Sequence, residues 1–190
     1  MRKLIVSSFL SVLFSITLIS CASLYDPAVQ ILPEHVKKVY VRPFINNTKQ
    51  FGLEAKFMNA VIGELLSDGR LSLVNTEGQS DAVLTVTIKR YILQPLIYDI
   101  NGITEQYKLW VIVGVSFIDK YNNTILWTES NMEGVHIYRD KRQSNDEIDD
   151  AMNEDEAREI VWEKLSRNIV KRIIKGFGSV TSISEKCRVK

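Results

Sequence analysis

Two cysteines, two histidines and one dense acidic run are the residues of this 190-residue chain whose types could carry chemistry. A thiol becomes a nucleophile when a neighbouring base or cation lowers its pKa. Cys187 has no such neighbour and sits in a polar C-terminal stretch. His35 and His136 stand outside any HExxH, HxH or Cys/His spacing that would hold a catalytic zinc. Each therefore reads as a solvated or edge residue, the usual placement of a polar side chain. The chain has no GxSxG elbow and no Walker-type glycine loop. The acidic run Asp146, Glu147, Asp149, Asp150, Glu154, Asp155, Glu156 lacks the glycine and the ligand spacing of a calcium loop. It reads as a solvated charge run leading into a helix cap. The expectation is a protein that is not an enzyme and needs neither metal nor cofactor.

Cys21 invites different chemistry. Arg2 and Lys3 precede a run from Leu4 to Leu18 that is apolar except for Ser7, Ser8, Ser11, Ser15 and Thr17. The run suits a signal peptide and is too short and hydroxylated for a membrane span, which takes about 20 mostly apolar residues. Leu18-Ile19-Ser20-Cys21 resembles the lipobox of bacterial lipoproteins. That resemblance implies cleavage after residue 20 and a diacylglyceryl group on the Cys21 sulfur. One acyl chain anchors weakly, at about 0.8 kcal/mol per buried CH₂, so a multiply acylated cysteine is expected. Ala22, where an Asp would signal inner-membrane retention in enteric sorting, points to the outer membrane and a periplasm-facing domain. Cys187 is then left without a partner, and no internal disulfide is expected. In a bacterial lipoprotein, Asn46-Asn47-Thr48 and Asn122-Asn123-Thr124, sequons by letter, read as turn asparagines.

Loss of Arg2 and Lys3 leaves 22 basic against 23 acidic residues. A near-neutral chain lacks the cationic excess that neutralises phosphates, so a nucleic-acid partner is not expected. The 170 residues from Cys21 onward suit one domain with one core.

The elements that must position any site follow from periodicity. Residues 21–37 read as a flexible tether, broken by Pro27 and Pro33. Val39 to Asn46 reads as a strand, with Pro43 marking an edge or a bulge. Phe51, Ala55, Met58, Ile62, Leu65 and Leu66 suggest the stripe of an amphipathic helix that Gly69 stops. Leu71 to Val74 and Ala82 to Leu93 read as strands, with Pro95 and Asn101-Gly102 marking a turn. Tyr107 to Asp119 is a strand apolar on both faces: either a central strand covered on both sides, or a face awaiting a partner. Asn122-Asn123 turns it into a strand to Tyr138, where Gly134 suggests a bulge. After a charged loop from Arg139 to Asp150, Asn153 and Glu156 form a capping box for a last helix. Ala157, Ile160, Val161, Leu165, Ile169, Ile173 and Phe177 are its stripe, and Gly176 and Gly178 its end. The fold class is α+β: a two-layer sandwich, a mixed four- to five-stranded sheet with both helices on one face. The domain should span 38–178, with 179–190 a disordered tail. Lys89 and Arg90 close one strand and Arg139, Lys141 and Arg142 follow the last, where basic side chains could hold the phosphates of a lipid head group beside apolar strand faces.

These residues resemble a family. Val39-Tyr-Val-Arg-Pro-Phe-Ile-Asn-Asn-Thr48, Leu65-Leu66-Ser67-Asp68-Gly69-Arg70-Leu71 and Ser80-Asp81-Ala82-Val83-Leu84 are similar to the LptE lipopolysaccharide-assembly lipoproteins. So are the strand from Tyr107 to Asp119, the Ile125-Leu126-Trp127 hairpin and the last helix. The resemblance implies a lipoprotein that plugs the LptD β-barrel of the outer membrane, assists its assembly and binds lipopolysaccharide, without catalysis. Lys89, Arg90, Arg139, Lys141 and Arg142 are then the candidates for lipopolysaccharide contact. Enteric members carry basic residues in the strand after the hairpin, where this chain has Glu129, Ser130, Asn131 and Glu133. A second resemblance, of the opening strand, Asn-Asn-Thr turn and helix to CsgG and TolB N-terminal domains, implies an envelope secretion or scaffold lipoprotein instead.

Overall fold

The computed structural model describes residues 32–141 and 151–175. The lipobox, the acidic end of the charged loop, Arg142, Gly176, Phe177, Gly178 and Cys187 lie outside them. The elements are β1 (Lys38–Val41), β2 (Ile45–Asn46), α1 (Leu53–Asp68), β3 (Ser72–Leu73), β4 (Ala82–Tyr98), β5 (Thr104–Asp119), β6 (Thr124–Asp140), β7 (Ala151–Met152) and α2 (Glu154–Lys175). A single seven-stranded sheet runs β3-β1-β4-β5-β6-β7, with β2 also paired to β4.

The fold class is α+β with both helices on one face, but the sheet is larger than the sequence suggested. Pro43 has no N–H to donate and divides the first strand in two. β1 pairs in parallel with Ala82–Leu84, and β2 resumes along the same edge at Thr87 and Ile88. The last addition is β7, whose two residues pair in parallel with Arg139 and Asp140. Such a strand carries no alternation for a sequence reader to see.

Strands β4, β5 and β6 form an antiparallel meander of 17, 16 and 17 residues. β4 runs on to Tyr98, past the turn expected at Pro95. Pro95 sits opposite Tyr107 beside a register shift. Among the described residues, β4 beyond Ile88 pairs with β5 alone, so a missing N–H there can face away from the ladder.

Helix α1 starts after Gly52, which caps it at φ 75°, and ends at Gly69, whose N–H donates to the Leu65 carbonyl at 3.3 Å. Its buried stripe is Leu53, Phe57, Val61 and Leu65. The expected stripe was therefore out of register: Phe51 precedes the helix and is 96 % exposed, and Leu66 is also exposed. Helix α2 opens with the capping box. Asn153 N–H donates to Glu156 Oε2 and Glu156 N–H to Asn153 Oδ1, both at 2.9 Å. Its buried face is Ala157, Val161, Trp162, Leu165, Ser166, Ile169, Val170, Ile173 and Ile174.

Gly134 is not a bulge. A Cβ there would lie 2.7 Å from Leu165 Cγ and 2.8 Å from Val161 Cγ1, so the glycine is what lets α2 settle on β6. The register shifts of β6 fall elsewhere, around Ser130-Asn131 and Leu126.

The end of the expected tether packs on the domain. Leu32 and Val36 join the core, His35 Nε2 lies 2.9 Å from Asp119 Oδ2, and the N–H groups of Lys37 and Lys38 donate to Asp81 Oδ2 at 3.0 and 2.8 Å. Asp119 is fully buried. Burial alone would push its carboxyl up, but bonds from the Asn122 side chain, His35 and the N–H groups of Tyr121 and Asn122 hold it below the usual range.

Candidate functional site on the open sheet face

Alternation along the meander gives its two faces opposite roles. Leu109, Val111, Val113, Val115 and Phe117 of β5 are buried against the helices. Tyr91 marks the same face on β4: its hydroxyl donates to Glu154 Oε1 at 2.6 Å and accepts from Arg158 Nε at 3.2 Å. Burial pushes this phenol up, the Glu154 carboxylate adds to the effect, and Tyr91 stays protonated. On β6, Glu129 faces the helices and accepts from Arg172, so it is not part of the other surface.

Among the described residues no helix covers that other face, which the cross-strand register orders into rows. Arg90 stands opposite Ile112, which stands opposite Glu133. Ile92, Trp110 and Val135 form the next row, then Gln94, Lys108 and Ile137, then Gln106 with Arg139. Arg90 reaches this face through a bulge, because β4 skips Lys89 between the pairs Ile88–Val113 and Arg90–Ile112. The Lys89 side chain lies across Gly114, where a Cβ would come 2.9 Å from Lys89 Cε. Ile112 is only 8 % exposed here, while Trp110, Ser116 and Ile118 on the same face are half-buried, as suits a central strand flanked on both sides.

The structure thus brings Lys89, Arg90 and Arg139 to one surface. All three are exposed, and none makes an ion pair with a described residue. Lys141 is drawn elsewhere: its Nζ donates to Glu156 Oε1 and Oε2 at 2.9 and 3.0 Å, at the start of α2. Those bonds, with the Asn153 N–H, hold the Glu156 carboxyl below the usual range. Arg142 lies outside the described residues. The sequence reading did not single out Lys108, whose Nζ stands 4.8 Å from the Trp110 ring centroid. The signal was available: Lys108, Trp110 and Ile112 share one parity of the strand.

The face combines exposed cations with Ile92, Trp110, Ile112, Val135 and Ile137, and the Trp110 indole N–H has no partner among the described residues. Chemically it can accept an anionic group beside an apolar chain. Among the described residues no group of three His, Cys, Asp or Glu side chains could hold a metal ion, and no helix is long and apolar enough to cross a membrane.

A search of curated proteins finds no match. A hypothetical protein of Chlamydia trachomatis shares the fold at 16 % identity and a TM-score of 0.52, covering 75 % of this chain and 97 % of its own. A minor lipoprotein of Acinetobacter baumannii aligns at 17 % identity and a TM-score of 0.45 over 73 % of this chain and 92 % of its own. Lipoprotein GNA1162 of Neisseria meningitidis aligns at 16 % identity and 0.42 over 72 % and 97 %. The LptE family model, described as lipopolysaccharide-assembly, matches residues 36–175. That span runs from just before β1 to the last residue of α2 and takes in every element of the fold. The chain belongs to the LptE lipopolysaccharide-assembly family.

Proposed function

We propose that this chain is an outer-membrane lipoprotein, acylated on Cys21, that plugs an LptD-like β-barrel, assists its assembly and holds lipopolysaccharide during transfer to the outer leaflet. Family membership supports the assembly role. The observation that carries lipid contact is the one-sided sheet. Both helices lie on one face, and the other sets Lys89, Arg90 and Arg139 beside Ile92, Trp110, Ile112, Val135 and Ile137. Cations there would take the phosphates of lipopolysaccharide and the apolar rows its acyl chains. Glu133, in the Arg90 row, limits the anionic charge this surface accepts. Lys141 contributes to the α2 cap instead.

Co-purification tests the partnership. A tagged copy drawn from solubilised outer membrane is expected to bring down a large β-barrel in equal amount. Recovery of a homo-oligomeric ring with no barrel would overturn the proposal and favour a secretion-type assembly.

A further inference from the structure

Among the described residues, the β4–β5 hairpin runs beyond the other strands. Tyr91, Leu93 and Tyr107 still pack against the core, but the strands continue past them to a turn at Asp99–Gly102. At about 3.3 Å per residue the projection is roughly 15 Å long. Its large side chains are apolar and in the open: Leu96, Ile97, Tyr98 and Ile103 are 38 to 56 % exposed, and Ile100 at the apex is fully exposed.

The apex is built rather than loose. Asp99 Oδ1 accepts from the N–H groups of Asn101 and Ile103 at 2.8 and 2.7 Å, and Oδ2 from the Asn101 side chain at 3.1 Å. Asp99 N–H donates to the Ile103 carbonyl, and Gly102 supplies the positive φ of 78° that the turn needs. The Asp99 carboxylate is thus satisfied from within the turn, leaving Glu105 as the other acidic side chain of the projection.

Successive residues such as Ile97 and Tyr98 point to opposite faces of a strand. A single flat protein surface could cover one face only; an apolar medium would surround both, as would a barrel lumen, and the charges behind the tip favour the medium. Behind the tip, Arg139 stands opposite Gln106 and Lys108 opposite Gln94, cations roughly 10–20 Å from the apex along the strands. An apolar apex backed by cations is the charge order of a lipid interface with anionic head groups.

We propose that the β4–β5 hairpin tip inserts into the interface of a phospholipid bilayer, burying Leu96, Ile97, Tyr98, Ile100 and Ile103 at the acyl boundary with Lys108 and Arg139 at the head-group phosphates. This contact is separate from the Cys21 lipid, and it needs neither a barrel nor lipopolysaccharide.

The test uses the chain from residue 21 onward with Cys21→Ser, which keeps every described residue and cannot be acylated. Vesicles of phosphatidylethanolamine and phosphatidylglycerol, free of lipopolysaccharide, are expected to carry this protein in a flotation gradient. The combined substitution Ile97→Ser, Ile100→Ser, Ile103→Ser should weaken partitioning at least tenfold while far-UV circular dichroism stays unchanged. In a second readout, Ile100→Cys in a background also carrying Cys187→Ser bears an environment-sensitive fluorophore whose emission should shift to the blue on vesicle addition. Failure of the parent to float, equal flotation of the triple variant, or unchanged emission would each overturn the proposal. Equal partitioning onto neutral phosphatidylcholine vesicles would overturn the role given to Lys108 and Arg139. Because no barrel is present, these outcomes are independent of the co-purification result.

Discussion

The ring of Phe57 on α1 lies stacked on the indole of Trp162 on α2, centroids 4.7 Å apart and planes 22° from parallel. Phe44, from the stretch between β1 and β2, meets Phe57 in a T-shaped contact, centroids 5.2 Å apart. Both Phe57 and Trp162 are fully buried, so this stack joins the helices to each other above the sheet. Trp162→Ala should cost about 3–5 kcal/mol of unfolding free energy, and Trp162→Phe distinctly less. Urea denaturation checks both; a loss under 1 kcal/mol for the alanine variant would contradict the packing.

The same pair shows where sequence reading stops. The capping box, the Gly69 stop, the hairpin at Asn122-Asn123 and the three long strands were legible, because each has a local residue signature. Trp162 was missed because the buried face of α2 is broader than one stripe, and it falls beside the Val161 and Leu165 positions that set the period. The register of α1 was missed because Phe51 fits the helical spacing yet sits ahead of Gly52, where the helix begins. On the candidate site, Lys89, Arg90 and Arg139 were legible as cations beside apolar strand positions, but not as strand ends: β4 runs on to Tyr98 and β6 to Asp140, so all three lie within strands. The diversion of Lys141 to Glu156 was not legible, since it depends on how the last helix meets the sheet.

Two glycines on opposite faces of the sheet should respond differently to alanine. At Gly134 the new methyl would meet Leu165 and Val161, packed core side chains that have little room to move. Gly134→Ala should destabilise by about 1–3 kcal/mol, the usual range for overpacking. At Gly114 the near atoms are Lys89 Cε and Nζ, the far end of a flexible chain, so Gly114→Ala should be close to neutral. Thermal unfolding of the two variants side by side would reveal reversed ranking if the faces were misassigned.

The start of α2 offers a local measurement. Asn153→Ala removes the acceptor for the Glu156 N–H and half of a reciprocal cap. A loss of about 1 kcal/mol is expected. Glu156→Gln should lose less, because an amide can still bond the Asn153 N–H, although the Lys141 contact weakens.

His136 sets a pH dependence. It lies on β6 with Lys164 Nζ 3.5 Å from its Nδ1, and burial first, then the Lys164 charge, depresses its pKa. The unfolded chain therefore binds a proton that the folded one resists. The stability this neutral imidazole contributes is full above about pH 6.5, the unfolded value, and is lost as pH falls from there through the folded pKa. His136→Gln should flatten the fall in melting temperature between neutral pH and about pH 5. An unchanged slope would assign that fall to other groups.

Charge reversal on the open face separates lipid contact from general surface charge. Lys89→Glu, Arg90→Glu and Arg139→Glu alter exposed side chains without ion pairs to described residues, so folding should survive each. A charge-assisted bond to a phosphate is worth about 1.5–3 kcal/mol, and each lost contact should weaken lipopolysaccharide binding roughly tenfold or more. Lys141→Glu changes net charge by the same amount but sits against Glu156, so it should lower stability while leaving lipopolysaccharide affinity near that of the parent. Equal losses for all four variants in a binding titration at fixed salt would mean that bulk charge, not the open face, governs the contact.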